Sequence, residues 1–201
     1  MKVKEILYNV TVSEKYNYIF FEVAKSGSRT VVDYLIKYGE VSFSKDRITL
    51  KNLKKKLKKT YENYYKFSIV RNPFSRLVSC YVNKVVKYND PNLKRWLSPC
   101  KDKDFEFFVC FVSKHMINKC NRHIRSSDSL VPQEVNYVGK LESFDKDFKY
   151  IIEKIGIEYN KAITRNKSIY TQPWKKYYTP PIKEKVEIIY KEDIKRFGYE
   201  F

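Results

Sequence analysis

Two short hydrophobic runs, each followed at once by polar, basic residues and then by a helix, constrain this chain more than any other feature. The first run, 16–24 (YNYIFFEVA), is apolar, aromatic and β-branched. That composition predicts a strand buried on both faces, as in a parallel sheet. It leads into Lys25-Ser26-Gly27-Ser28-Arg29-Thr30 and then into VVDYLIKY (31–38), whose spacing is helical and whose stop is Gly39. The second run, 66–70 (KFSIV), is followed by Arg71-Asn72-Pro73. Pro73 suits the first helical position, where its missing N–H costs nothing. The helix is expected to continue to about Tyr88. Strand, tight turn and helix in repetition imply an α/β fold: a central, mostly parallel sheet flanked by helices.

The remaining segments extend that pattern. Residues 51–59 (KNLKKKLKK) read as a basic helix, with Leu50, Leu53 and Leu57 on one face. Packing through those leucines with the lysines in water accounts for it; docking on nucleic acid or membrane is the alternative. Helices are expected over 104–120, 144–155 and 182–197, the last ended by Gly198, and a strand over 135–140. The stretches 90–103, 121–134 and 161–178 are polar and irregular. There is no internal repeat and no linker, so 201 residues are expected to form one domain, 1–201. The hydrophobic fraction of 43% supports a core without disulfide or metal staples.

Forty-one Lys and Arg against 23 Asp and Glu leave a net charge of +18. Such a surface favours anionic partners: phosphorylated cofactors, sulfated or carboxylated glycans, nucleic acid or anionic membranes. No nucleic-acid recognition motif accompanies the charge. No run of about 18 apolar residues predicts a transmembrane helix. MKVKEILYNVTVSEK lacks a signal-peptide core, so a soluble, cytoplasmic protein is expected unless an anchor has been removed. Cys80, Cys100, Cys110 and Cys120 form no C-x-x-C pair and no zinc-finger spacing, and read as reduced thiols without metal; a single disulfide among the last three is the alternative if the protein is exported.

The two turns carry the chemistry. A glycine turn at a helix N-terminus lines up backbone N–H groups at the positive end of a dipole, where phosphate or sulfate oxygens fit. Ser28 and Thr30 would add hydroxyl donors, and Lys25 and Arg29 charge. An ordinary tight turn is the plain alternative. This is no Walker A loop, whose lysine follows a second glycine; here the lysine precedes the single glycine. In a nucleoside-triphosphate hydrolase the second strand often ends in an acid that helps hold magnesium. Here it ends in Arg71, whose planar fork takes a phosphate with no metal. Ser79, eight residues on, can aim its hydroxyl at the same anion. Arg76 taken alone reads as a surface salt bridge.

Two anion sites after two strands suggest a ligand with two separated phosphate groups, and at this point the sequence resembles a known family. The strand–KSGSRT–helix unit looks like the 5′-phosphosulfate loop of the sulfotransferases that use 3′-phosphoadenosine-5′-phosphosulfate (PAPS). The strand–RNPFSRLVS–helix unit looks like their 3′-phosphate site. NRHIRSSDSL, YVGKLESFDKDF and YYTPPIKEKVEIIYKEDIKRFGYEF resemble three further stretches, the last with a Tyr-x-x-Asp and a Phe-Gly-Tyr ending. The variant is closest to the Golgi-type carbohydrate sulfotransferases and their bacterial relatives. The chain departs from the family where Ile124 follows His123 and where Ser126-Ser127 stand.

The resemblance implies a P-loop-NTPase-like sulfotransferase fold. It implies metal-independent, in-line sulfuryl transfer from PAPS to a hydroxyl of a glycan or small acceptor, leaving 3′-phosphoadenosine-5′-phosphate. Lys25, Ser26, Gly27, Ser28, Arg29 and Thr30 would hold the 5′ end, with Lys25 stabilising the leaving phosphate. Arg71 and Ser79 would bind the 3′-phosphate, and Arg165 and Lys167 would add basic contacts. Of the two histidines, His123 suits the general base: it lies between Arg122 and Arg125, which favour its neutral form. His115 lies in an apolar helix and reads as a packed or surface residue. Glu22 is the carboxylate alternative. Trp96 and Trp174 suit either ring stacking on a ligand or capping of the core. The basic loops favour an acidic acceptor. The rival readings are a catalytically inactive nucleotide-binding relative, a P-loop kinase and a basic nucleic-acid-binding protein.

Overall fold

The computed structural model describes residues 5–87, 96–160 and 172–201, apart from the side chain of Asp46. In chain order the strands are β1 (Leu7–Ser13), β2 (Tyr18–Phe21), β3 (Phe43–Thr49), β4 (Tyr65–Val70) and β5 (Tyr137–Lys140). The α-helices are α1 (Ser28–Tyr38), α2 (Leu50–Leu57), α3 (Pro73–Tyr81), α4 (Phe105–Ser113), α5 (Ser127–Leu130), α6 (Phe144–Lys154), α7 (Pro180–Ile189) and α8 (Lys191–Phe197). The chain divides into two compact units: Met1–Val70 with Ser129–Arg165, and Arg71–Asp128 with Asn166–Phe201.

The first unit holds a five-stranded sheet of order β3-β1-β2-β4-β5. β2 pairs in parallel with β4, and β4 with β5. β1 pairs antiparallel with both β2 and β3. The sheet is therefore mixed, which corrects the expectation of a mostly parallel one. The two unforeseen strands account for the difference. In β1 the polar Asn9, Thr11 and Ser13 are buried along with Tyr8, Val10 and Val12. β3 (FSKDRIT) is an edge strand with exposed Lys45 and Arg47, and charge on an edge blunts unwanted pairing while hiding the strand from a hydrophobic reading.

Alternation along β2 sends its side chains to opposite cores. Tyr18 and Phe20 join Phe67 and Ile69 of β4 under Val31 and Leu35 of α1 and Phe148 and Ile151 of α6. Ile19 and Phe21 join Val10 and Val12 under Leu53 and Leu57 of α2. The basic helix thus packs through its leucines, as expected, and its lysines stay outside that core.

In the second unit Phe74, Leu77, Val78, Phe108, Val112, Ile182 and Val186 form one core from α3, α4 and α7. Three expected helices end or break early. α3 passes into a π-helical turn at Val82–Val86. α4 stops at Ser113, whose hydroxyl donates back to Cys110 O at 2.9 Å. Tyr190 divides the C-terminal helix in two, and Gly198 (φ 60°) then ends it as expected.

Candidate functional site

In the first unit the turn between β2 and α1 is built against its own ease. Lys25 has φ 70°, a conformation that costs a residue with a Cβ about 1–3 kcal/mol and that collects at ligand sites. Gly27 has φ 78° and caps α1 without a side-chain hydrogen bond. A Cβ there would stand 2.9 Å from Leu141 Cδ1, the tip of a side chain that can turn aside, so it is the backbone conformation that demands glycine. No acidic residue sits in the first turn of α1. Ser26 is fully buried, and its Oγ has no hydrogen-bond partner among the described residues. Thr30 is buried, Ser28 half-buried and Arg29 exposed. A helix N-terminus with an unspent hydroxyl beside it suits an anion that brings its own acceptor oxygens. Glu22 is half-buried just past β2 and accepts from Thr11 Oγ1 at 3.3 Å.

In the second unit Arg71 opens the turn before α3. Its Nε donates to Ser75 Oγ at 2.8 Å, and that hydroxyl donates to Asn72 O at 3.1 Å. Asn72 caps the helix by accepting Phe74 N–H at 3.0 Å, with Pro73 at the first position. Ser79 is buried on α3. Arg76 is 1% exposed, so the surface salt bridge expected of it is corrected. Its Nη1 donates to Arg125 O at 2.9 Å and its Nη2 to Arg122 O at 3.2 Å. The fork thus grips the carbonyls on both sides of His123.

Three more groups fasten the same loop. Tyr190 OH donates to Ile124 O at 2.6 Å. Asp193, also 1% exposed, accepts the N–H groups of Ser127 and Asp128. Arg196 pairs with Asp128 at 3.0 Å. Burial pushes the Asp193 carboxyl above its ordinary range, against the pull of Arg76 and the two N–H donors. Burial likewise pushes the Tyr190 phenol up. On the loop itself, Asn121 Oδ1 accepts His123 N–H at 3.1 Å and lies 2.7 Å from His123 Nδ1.

Reading the sequence by residue type missed Arg76, Tyr190 and Asp193 as anchors. The available signal was the Tyr-x-x-Asp pattern at the break between α7 and α8. His115 is exposed, meets Trp96 edge-on with ring centroids 5.1 Å apart and sits 2.8 Å from Phe111 O through Nδ1. Trp174 packs on Phe74 and Phe201, so its described contacts cap the aromatic cluster. Arg165 and Lys167 lie outside the described residues. Cys80, Cys100, Cys110 and Cys120 are free thiols. Among the described residues no group of three or more His, Cys, Asp or Glu is placed to hold a metal ion. No described helix is long and apolar enough to cross a membrane.

Comparison with known proteins gives a consistent picture. The model of the sulfotransferase family matches residues 8–200. Carbohydrate sulfotransferase 11 of Mus musculus and that of Rattus norvegicus are each 34% identical over 134 residues, which is 55% of this chain and 38% of theirs. Carbohydrate sulfotransferase 14 of Danio rerio is 24% identical over 98% of this chain and 63% of its own length. The chain therefore spans 38% of the length of the first two of these relatives. No solved structure matches.

Proposed function

Because the chain belongs to the sulfotransferase family across residues 8–200, we propose that it moves a sulfuryl group from PAPS to a hydroxyl of a carbohydrate or a related small acceptor. The carrying observation is the uncapped N-terminus of α1 beside the buried, unpartnered Ser26 hydroxyl. Those donors fit a phosphosulfate. The names of the relatives support a carbohydrate acceptor, and the net charge of +18 supports an acidic one. The match spans both compact units, which supports one functional domain. β2, β4 and β5 are parallel, and the anion turn follows the carboxyl end of β2, which supports a P-loop-like sulfotransferase arrangement.

When bound, the donor supplies an activated sulfuryl group with a phosphate as leaving group. The chain's own work is electrostatic and positional, as in phosphoryl transfer. Lys25 neutralises charge that develops on the leaving oxygen. Ser26, Ser28, Arg29, Thr30 and the N–H groups about Gly27 hold the 5′ end. Arg71 and Ser79 hold the 3′-phosphate and so select a bisphosphate over ordinary nucleotides. His123 takes the proton of the acceptor hydroxyl.

Thermal-shift titration tests the reading, with 3′-phosphoadenosine-5′-phosphate against 5′-AMP, ATP and ATP with magnesium. A ligand at a hundred times its dissociation constant adds about 2.7 kcal/mol. The bisphosphate alone should stabilise the chain, and Arg71→Ala should abolish that selectivity. Stabilisation by ATP with magnesium alone would return the chain to the kinase reading.

A further inference from the structure

The geometry points to Asn121 as the residue that sets the tautomer of His123, and so as a positioning residue for proton removal from the acceptor. The inference rests on the reading above, in which His123 is the base. One side-chain atom of Asn121 faces two nitrogens of His123: the backbone N at 3.1 Å and ring Nδ1 at 2.7 Å. A backbone N–H can only donate, so the atom facing it is the amide oxygen and not the amide nitrogen. An amide oxygen offers only lone pairs. The ring nitrogen 2.7 Å away must therefore carry the hydrogen. In a neutral imidazole that leaves the lone pair on Nε2, which becomes the basic atom.

The arrangement is held rather than accidental. The Asn121 carbonyl accepts the N–H groups of Ile124 and Arg125, each at 2.9 Å, which closes a turn around the histidine. Ile124 is fully buried, and its own carbonyl is gripped by Tyr190. The charged groups tied to the loop that carries the ring are Arg122 and Arg125 of the loop itself, Arg76 from α3 on their carbonyls, Asp193 from α8 on the N–H groups of Ser127 and Asp128, and Arg196 from α8 on Asp128. Cations dominate that set. A neutral amide is then a telling choice of partner: it fixes the ring without adding the negative charge that would raise its basicity.

The full chain has only two histidines, so its imidazole nitrogens can be read by nitrogen-15 correlation spectroscopy, with His115→Gln assigning the signals. Native His123 should show the Nδ1–H tautomer when neutral. Asn121→Ala should shift it toward Nε2–H and lower kcat about 10–100-fold, with binding of 3′-phosphoadenosine-5′-phosphate unchanged. Asn121→Asp should restore the tautomer and move both the ring titration and the acidic limb of the pH–rate profile up by about one unit or more. An Nε2–H tautomer in the native chain, or a tautomer indifferent to Asn121→Ala, overturns the inference. If the tautomer follows Asn121 but His123→Ala keeps full sulfuryl transfer, His123 is not the base and the positioning role falls with it. Unchanged bisphosphate binding in that case leaves the donor assignment standing.

Discussion

The carboxylate of Asp193 accepts the backbone N–H groups of Ser127 and Asp128, each at 2.8 Å, and so ties the break between α7 and α8 to the loop that carries His123. Both carboxylate oxygens are used, and the residue is 1% exposed. Removing the acceptor strands two N–H donors and leaves the buried Arg76 without the carboxylate that attracts it. Each stranded donor costs about 1–3 kcal/mol. Asp193→Ala should therefore lower the unfolding free energy by about 3 kcal/mol or more in urea. Asp193→Asn keeps one acceptor oxygen and should lose about half as much. Equal losses in the two variants would place the effect in the lost charge rather than in the N–H groups.

How much of this was legible beforehand depends on what each residue contacts. The turn at Lys25–Thr30 and the Arg71–Pro73 junction were legible because strand, turn and helix signals are local. β1 and β3 were not, because burial of Asn9, Thr11 and Ser13 and exposure of Lys45 and Arg47 follow from position in the sheet rather than from residue type. Arg76 was misread for the same reason: its carbonyl partners at Arg122 and Arg125 lie more than forty residues away along the chain. Tyr190 stands at a helix break that its local propensity does not announce, and its hydroxyl reaches Ile124 O, far away along the chain. Local signals located the two strand–turn–helix junctions, and long-range polar contacts built the frame around His123.

Asp147 should make the first unit sensitive to acid. It accepts from Lys140 N–H at 2.8 Å, Ser143 Oγ at 2.6 Å and Tyr137 OH at 3.0 Å, and so pins α6 to the end of β5. Burial alone would raise its pKa, but the three donors outweigh it and hold the carboxyl below 3.8. A depressed carboxyl stabilises the fold above its unfolded pKa and loses that contribution as pH falls through the folded one. Wild type should thus lose stability faster than Asp147→Asn below pH 3.8, while the variant is weaker by about 1–2 kcal/mol at pH 7. Parallel acid titrations of the two proteins in urea would show it; coincident curves would remove Asp147 from the acid response.

Gly27→Ala should destabilise the turn through its backbone. The added methyl is strained by the left-handed backbone at φ 78°, while Leu141 Cδ1 at 2.9 Å is the tip of a side chain that can turn aside. A loss of about 1–3 kcal/mol is expected, with weaker binding of 3′-phosphoadenosine-5′-phosphate because the turn must shift. Calorimetry with and without the bisphosphate separates the two effects. A fully stable variant with intact binding would mean that the turn accommodates a Cβ by a path the present packing does not offer.

Ser26→Ala should act with opposite signs in the free and bound protein. The Ser26 hydroxyl is fully buried and lacks a partner among the described residues, which is a standing cost to the free fold. Replacing it by a methyl removes that cost and should raise the unfolding free energy by about 1 kcal/mol. If the hydroxyl is kept for a bound anion, the same change removes a donor from the ligand. The stabilisation gained from saturating 3′-phosphoadenosine-5′-phosphate should then shrink by about 1 kcal/mol or more. Neither half alone decides the matter, since a serine kept for packing could give the first and a distorted turn the second. Only the crossing of the two, a more stable free protein that gains less from its ligand, identifies Ser26 as a residue whose hydrogen bond is made in the complex. A variant that is less stable without ligand and gains just as much with it would return Ser26 to the structural background of the turn.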